Sequence, residues 1–456
     1  MSASGQALPV EAQIDQWREY LRRRQALHHA DVAELEDHLR EQVATLVAAG
    51  LAPDEAFLVA VKRMGNLDAL SREFAREHSD RLWKQLVMMP LDCADAPRAA
   101  RIDAIVAFGL AVAAAIAIQS PKLFGVQLDA NTGFYARNLS LFVLPLLTLY
   151  FVWKRGVDAR TVRRLATAFV AGGIIVNAYP FAAGGSTARL AALHLPIALW
   201  LVVGVAYAGG RWGDVAGRMD FIRFSGELFI YYVLIALGGA VLMGFMAMIF
   251  TAIGVDLEPL FQSWLLPCGI VGAVVVASWL VEAKQSVIEN MAPVLTRLFT
   301  PFFAVALIVF VGTVLWTGRG VDIGRDVLIA FDLLLVVVVG LLLYGVSARN
   351  PRSPAGAFDT VQLVLVLGAL AADAIALWAV AARIHDFGFT PNRVAALGEN
   401  IVLLVNLAGS AVLSIRFLRG RGSSAALERW QTDYLPVYAA WAAAVVIVFP
   451  PLFAYA

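Results

Sequence analysis

Two cysteines in 456 residues, Cys93 and Cys268, are too few and too far apart for a disulfide scaffold or a thiolate metal site. Charge is also scarce, since Asp, Glu, Lys and Arg make up 16% of the chain where soluble domains average about 25%. A net charge of +1 gives no pull toward nucleic acid. No Gly-Lys dipeptide occurs, which excludes a Walker A phosphate loop, and no His-Glu-x-x-His sequence occurs. Of the six histidines, His28, His29, His38 and His78 fall on solvated faces near the start of the chain, in no spacing that suits zinc. Neither a cofactor nor a metal is expected. What the chain has in excess is apolar residues, at 60%, too many for a surface of this length to meet water. Most of it belongs in lipid.

The charge that exists is concentrated in residues 1–88, which separates a polar head from an apolar body. Glu11, Asp15, Arg18 and Glu19 break the first apolar stretch, so nothing there has the form of a signal peptide. The head therefore reads as cytosolic. Its apolar period is helical: Ile14, Trp17 and Leu21 share one face, and Val32, Leu35, Leu39, Val43 and Leu46 share another. The second helix reads as opening at an Asp31 N-cap and stopping at Gly50. A third follows Pro53 and buries Phe57, Ala60, Val61 and Met64; Leu67, Leu70 and Phe74 continue on a fourth. Acids slightly outnumber bases in this bundle, which argues against DNA and for a protein partner, the plain alternative being a solubility cap. Residues 89–100 read as an interfacial linker that follows an amphipathic stretch at Trp83 to Met89.

From residue 101 onward, eleven apolar runs approach the roughly 20 helical residues that a hydrocarbon core of about 30 Å requires. They are 102–119, 138–153, 165–183, 190–208, 228–253, 264–283, 299–317, 326–346, 360–382, 397–418 and 435–455. The expected fold is all-α, a small cytosolic bundle followed by a polytopic bundle of about eleven spans. With the N-terminus inside, sixteen Lys and Arg fall in inner loops and seven in outer ones, the bias of a bacterial inner-membrane protein whose C-terminus is periplasmic. Trp153, Trp212, Trp316, Trp430, Tyr434, Tyr438 and Trp441 lie near predicted helix ends as interfacial anchors, and Pro301 suits a first turn.

Carboxylates in hydrocarbon are costly and need a partner or a cavity. Asp332 and Asp373 fall at similar predicted depth on consecutive helices, with Asn406 on the next at nearly the same level and Asn177 and His194 in the same half. Facing one another, they would line a pocket for an ion or small molecule, because two acids in low dielectric cannot both stay charged. Separately, they are glue worth about 0.6 kcal/mol each. A polar outer loop bearing Arg383, His385, Asp386, Asn392, Arg393 and Glu399 would lid the pocket, its arginines suited to anionic head groups or, more simply, to pairing with Asp386 and Glu399. An enzyme acting on a lipid-linked substrate would need an outer-loop acid or base, such as Asp129 or His385. These residues leave three readings: a membrane regulator or sensor, an ion-coupled secondary transporter and, more distantly, such an enzyme.

The head, with Asp31-Val32-x-Glu34-Leu35-Glu36-x-His38-Leu39, Gly50-Leu51-x-x-x-Glu55-Ala56-Phe57 and Met64-Gly65, resembles the permease prefix domain, also called the HAAS helical signalling domain. That resemblance implies a regulatory, partner-binding bundle and brings no catalytic residues. The body resembles an uncharacterised polytopic bacterial membrane family, the domain of unknown function forty-one fifty-three. The resemblance rests on Arg137-Asn138-Leu139-Ser140, Gly226-Glu227-Leu228 and Gly388-Phe389-Thr390-Pro391-Asn392-Arg393. It implies a fold and no activity.

Overall fold

The computed structural model describes residues 11, 14, 29–48, 50–63, 98–128, 133–252, 254–283, 291–317, 325–349 and 353–456. The fourth head helix, the amphipathic stretch at Trp83 to Met89 and Asp129 lie outside the described residues. The chain divides into two compact units, Met1–Asp95 and Ala96–Ala456.

In the first unit, α1 (His29–Ala48) packs on α2 (Pro53–Arg63). Leu39, Val43 and Leu46 on one, and Ala56, Phe57 and Ala60 on the other, are buried at the period that the sequence prescribes. Gly50 ends α1 with φ +94°, a left-handed conformation that costs glycine least. Asp31 is not the N-cap, because α1 already includes His29 and Asp31 lies within the helix.

The described residues of the second unit form eleven long helices: α3 (Arg98–Gln119), α4 (Phe134–Arg155), α5 (Ala159–Ala178), α6 (Ser186–Tyr207), α7 (Val215–Ala252), α8 (Leu266–Ala283), α9 (Met291–Thr317), α10 (Arg325–Ser347), α11 (Ala357–Phe387), α12 (Pro391–Leu418) and α13 (Ser424–Ile447). Each apolar run largely coincides with one of them. Among the described residues, eight helices are long and apolar enough to cross a membrane by length and composition, and α10 adds a shorter apolar stretch, Phe331–Ser347. The chain is a polytopic membrane protein. Its apolar surface agrees, since Leu234, Leu237, Phe245 and Met248 on α7 are all exposed side chains that only lipid would solvate.

Two apolar cores organise this unit. One gathers α3, α4, α5, α6, α8 and part of α7, around Leu147, Tyr150, Phe151, Val203 and Val275. The other gathers α9 to α13 with Met219 and Ile222 of α7, around Leu307, Leu335, Leu342, Leu365 and Leu407. The long α7 thus serves both lobes, and α6 packs on α13 between them. Pro301 is an interior residue of α9 rather than a first-turn one, because the helix begins at Met291.

At one end of the first lobe, Glu282 of α8 accepts from Arg155 at 2.8 Å and lies 3.4 Å from Lys154, which also reaches Asp103 at 3.0 Å. α5 opens on Asp158, whose carboxylate accepts from the Arg160 and Thr161 amides and the Thr161 hydroxyl. Those bonds hold its pKa below the usual carboxylate range. Since the folded value is the lower one, the stabilisation is complete above the unfolded value of about 3.9 and disappears as pH falls through the folded value. Hydrogen exchange of the first-turn amides of α5 is expected to lose protection on that acidification, and Asp158→Asn to remove the pH dependence.

Candidate functional site

The polar side chains inside the second unit do not form a single pocket. Asn177 of α5 and Asn138 of α4 exchange side-chain hydrogen bonds of 2.7 and 2.9 Å, a closed amide pair. Asn406 donates to Gln431 at 3.1 Å, Gln431 donates to Ser410 at 2.6 Å, and the Asn406 carbonyl accepts from the Trp430 indole, so this residue belongs to a buried joint between α12 and α13. Both amides act as glue. Asn138→Ala is expected to cost about 0.6 kcal/mol in reversible unfolding and to show its coupling with Asn177 in a double-mutant cycle.

The acids are arranged differently. Asn400 of α12 donates to Asp332 of α10 at 3.2 Å and to the Ala396 carbonyl at 2.9 Å. Asp373 of α11 is wholly buried, and neither of its oxygens has a hydrogen-bond partner. Asp332 is within electrostatic reach of both Asp373 and Glu399. Three carboxylates from three consecutive helices therefore share one apolar region, and among the described residues one side-chain amide, Asn400, donates to them. Among the described residues no three His, Cys, Asp or Glu converge closely enough to hold a metal ion. What the arrangement can take up is a proton or a weakly coordinated cation.

Glu399 enters this group because the polar loop expected between α11 and α12 is only three residues long. α11 continues to Phe387 and ends at Gly388, whose φ of +77° is in the glycine-favoured region. Thr390 then caps α12 and Pro391 takes its first turn. Arg383, His385 and Asp386 consequently lie on the last turns of α11, and Asn392 and Arg393 on the first turn of α12. Arg393 does not pair with Asp386 or Glu399; it donates to the Phe387 and Gly388 carbonyls at 3.0 and 2.8 Å, satisfying groups that a helix end leaves open. Asp386 meets His385 at 3.1 Å. Glu399 is two turns inside α12.

A cavity of about 690 Å³ separates the two lobes. α4, α6, α7 and α8 line one side and α10, α12 and α13 the other, and the wall is mostly aliphatic and aromatic. Its polar side chains are few, Glu399, His194 and Ser140 with the aromatic polar groups of Trp200, Tyr232, Tyr438 and Trp441. His194 is thus apart from Asn177 and Asn406. Its Nδ1 lies 2.8 Å from the Leu190 carbonyl and must donate to it, which leaves Nε2 as an acceptor.

The local cause of this wall is close packing of α12 on α13. A Cβ at Gly398 would overlap the Trp441 ring, and one at Gly409 would overlap Trp430. The two glycines are eleven residues apart, as are the two tryptophans, which is about three turns on each of two facing helices. Tyr434 adds a 2.7 Å bond to the Val402 carbonyl. These aromatics are thus packed on α12 rather than free to anchor an interface, and Trp212 likewise packs on Gly204. Trp153 and Trp316 are exposed, as anchors would be.

A second, polar cavity of about 520 Å³ is lined by Arg155, Arg211, Asp220, Arg223 and Glu227. Two of its cations are already engaged, Arg155 by Glu282 and Arg223 by Asp220 and the Ser347 carbonyl. Sequence reasoning passed over Asn400, Ser140 and the eleven-residue Gly and Trp spacings, and of these only the spacings were visible without a fold. Compared with protein-family models, curated proteins and solved structures, the chain matches none of them.

Proposed function

We propose that this chain is a bacterial inner-membrane regulator or sensor of about eleven spans, with Met1 cytoplasmic and Ala456 periplasmic, whose buried acids respond to protons or monovalent cations. The observation that carries the reading is Asp373, wholly buried with both oxygens unpartnered and a second acid within reach. A carboxylate so placed is tolerated in an apolar interior only when its charge is cancelled, by a proton or a cation. Taking up or losing that charge changes which packing of α10, α11 and α12 is stable, and this makes the group a switch.

The head would pass the change to a soluble protein. Its resemblance to the permease prefix domain supports that role, as do the separate helical core of α1 and α2 and the excess of acids that disfavours nucleic acid. Membrane lipid is the body's other partner.

A second reading, ion-coupled transport, is favoured by Glu399, which belongs both to the acid group and to the cavity wall. Proteoliposomes with an internal pH dye separate the two. The sensor moves no protons when a gradient of sodium, potassium or a mixture of small solutes is imposed, yet its α10 to α12 amides change exchange rate with pH. Solute-driven proton movement would assign the transporter instead.

A further inference from the structure

The exposed face of α12 changes character along its length. Ile401, Val405, Ala408 and Val412 are exposed at intervals of three and four residues, so they form one stripe that lipid tails would cover. The same register continues into Arg416 and Arg419, both exposed. From Val405 to Arg416 the helix rises about 16 Å, half of a hydrocarbon core of about 30 Å and hence the reach of one leaflet's acyl chains. An apolar track one leaflet long ends in two guanidinium groups.

The turn after α12 adds a third. Gly420 has φ +68°, its amide donates to the Phe417 carbonyl at 3.0 Å, and the Arg421 amide donates to the Arg416 carbonyl at 2.8 Å, which reverses the chain at the helix end. The reversal is tight enough that a Cβ at Gly422 would lie 3.3 Å from that of Arg416. Arg421 is thereby returned toward Arg416, and a recess of about 370 Å³ is lined by Val412, Ile415, Arg416, Arg419 and Arg421.

Charge in this recess is uncompensated. None of the three guanidinium groups has a hydrogen bond or ion pair among the described residues, and no acid lines the recess. Neighbouring acids are engaged or placed elsewhere: Asp359 pairs with Arg349, Asp433 pairs with Arg218, and Glu428 lines a separate recess beside Arg349 and Asp359. Three like charges around one space repel one another and are stabilised by an anion held between them, and the guanidinium fork matches phosphate oxygens. A soluble phosphate would meet the same arginines but gain nothing from the apolar track.

We infer that the end of α12 holds an anionic phospholipid, its phosphodiester bonded by Arg416, Arg419 and Arg421 and an acyl chain laid along Val412, Ala408 and Val405. Such a site requires only that α12 spans a membrane, and it stands whether or not Asp373 takes up a proton.

The full chain in a nonionic detergent is titrated with dioleoylphosphatidylglycerol, and bound lipid is counted by native mass spectrometry. Phosphatidylglycerol is expected to bind at least about tenfold more tightly than phosphatidylcholine with the same tails. Arg416→Gln, Arg419→Gln and Arg421→Gln should each weaken it about fivefold, and the triple variant about a hundredfold. Combined Arg160→Gln, Arg163→Gln and Arg164→Gln removes equal charge from the start of α5 and should leave binding unchanged, with size-exclusion profiles reporting folding of every variant. Glycerol phosphate, a head without tails, should fail to compete at about a hundredfold excess. Equal weakening by the two triple variants, or equal binding of phosphatidylcholine, overturns the site. Effective competition by glycerol phosphate overturns the lipid and assigns a soluble anion in its place.

Discussion

Asp373→Asn is expected to abolish the pH response of the body altogether. In nanodiscs, hydrogen exchange of α10, α11 and α12 in the unaltered chain should change several-fold between acidic and alkaline buffer, and the variant should hold one rate throughout. Burial is the cause. Asp373 has no exposed surface and neither oxygen is hydrogen-bonded, so its charge state cannot change without a change in what surrounds it. Asp386→Asn is the control, because that carboxylate lies at the exposed end of α11 and meets His385. A second substitution separates a switch from glue. If Asp373 were structural, Asp373→Leu would destabilise the bundle; as a site for a proton or cation it is a liability to packing, and an apolar residue of similar size should leave stability unchanged or raise it by about 1–4 kcal/mol. Loss of stability in Asp373→Leu, or an unaltered exchange profile in Asp373→Asn, would sink the sensing role.

Gly398→Leu and Gly409→Leu should each prevent accumulation of folded protein. At both positions the space for a Cβ is already filled by an indole ring, Trp441 and Trp430 respectively, on a neighbouring helix that also holds α12 through Tyr434, Gln431 and Asn406. Small overpacking costs about 1–3 kcal/mol; a whole branched side chain against a fixed ring exceeds it and forces the helices apart. The milder Gly398→Ala should fold with lowered stability and be rescued by Trp441→Leu, which restores room on the opposite helix. Rescue is the informative result. Should Gly398→Leu fold with unchanged thermal stability, the close approach of α12 to α13 would be wrong, and with it the wall that carries Glu399, Tyr438 and Trp441.

The sequence by itself determined where the helices are. Apolar runs of about 20 residues have one solution in lipid, because a backbone without water must bond to itself, and the eleven runs largely coincide with eleven helices. It determined the head pair as well, through the period of Leu39, Val43 and Leu46 and the stop at Gly50. Tertiary structure alone decided which polar residues meet. Depth along a span can be counted from sequence, but the side of the helix that faces a neighbour cannot, since lipid and protein interior are equally apolar and hydropathy does not tell them apart. Asp332 therefore found Asn400 rather than Asn406, and Asn177 found Asn138. Glu399 was misplaced for a different reason: Gly388, Thr390 and Pro391 make a complete helix stop and start in three residues, and a polar composition around them resembled a long loop. The cavity, too, belongs to the tertiary level, because it is the gap left where two separately packed cores meet.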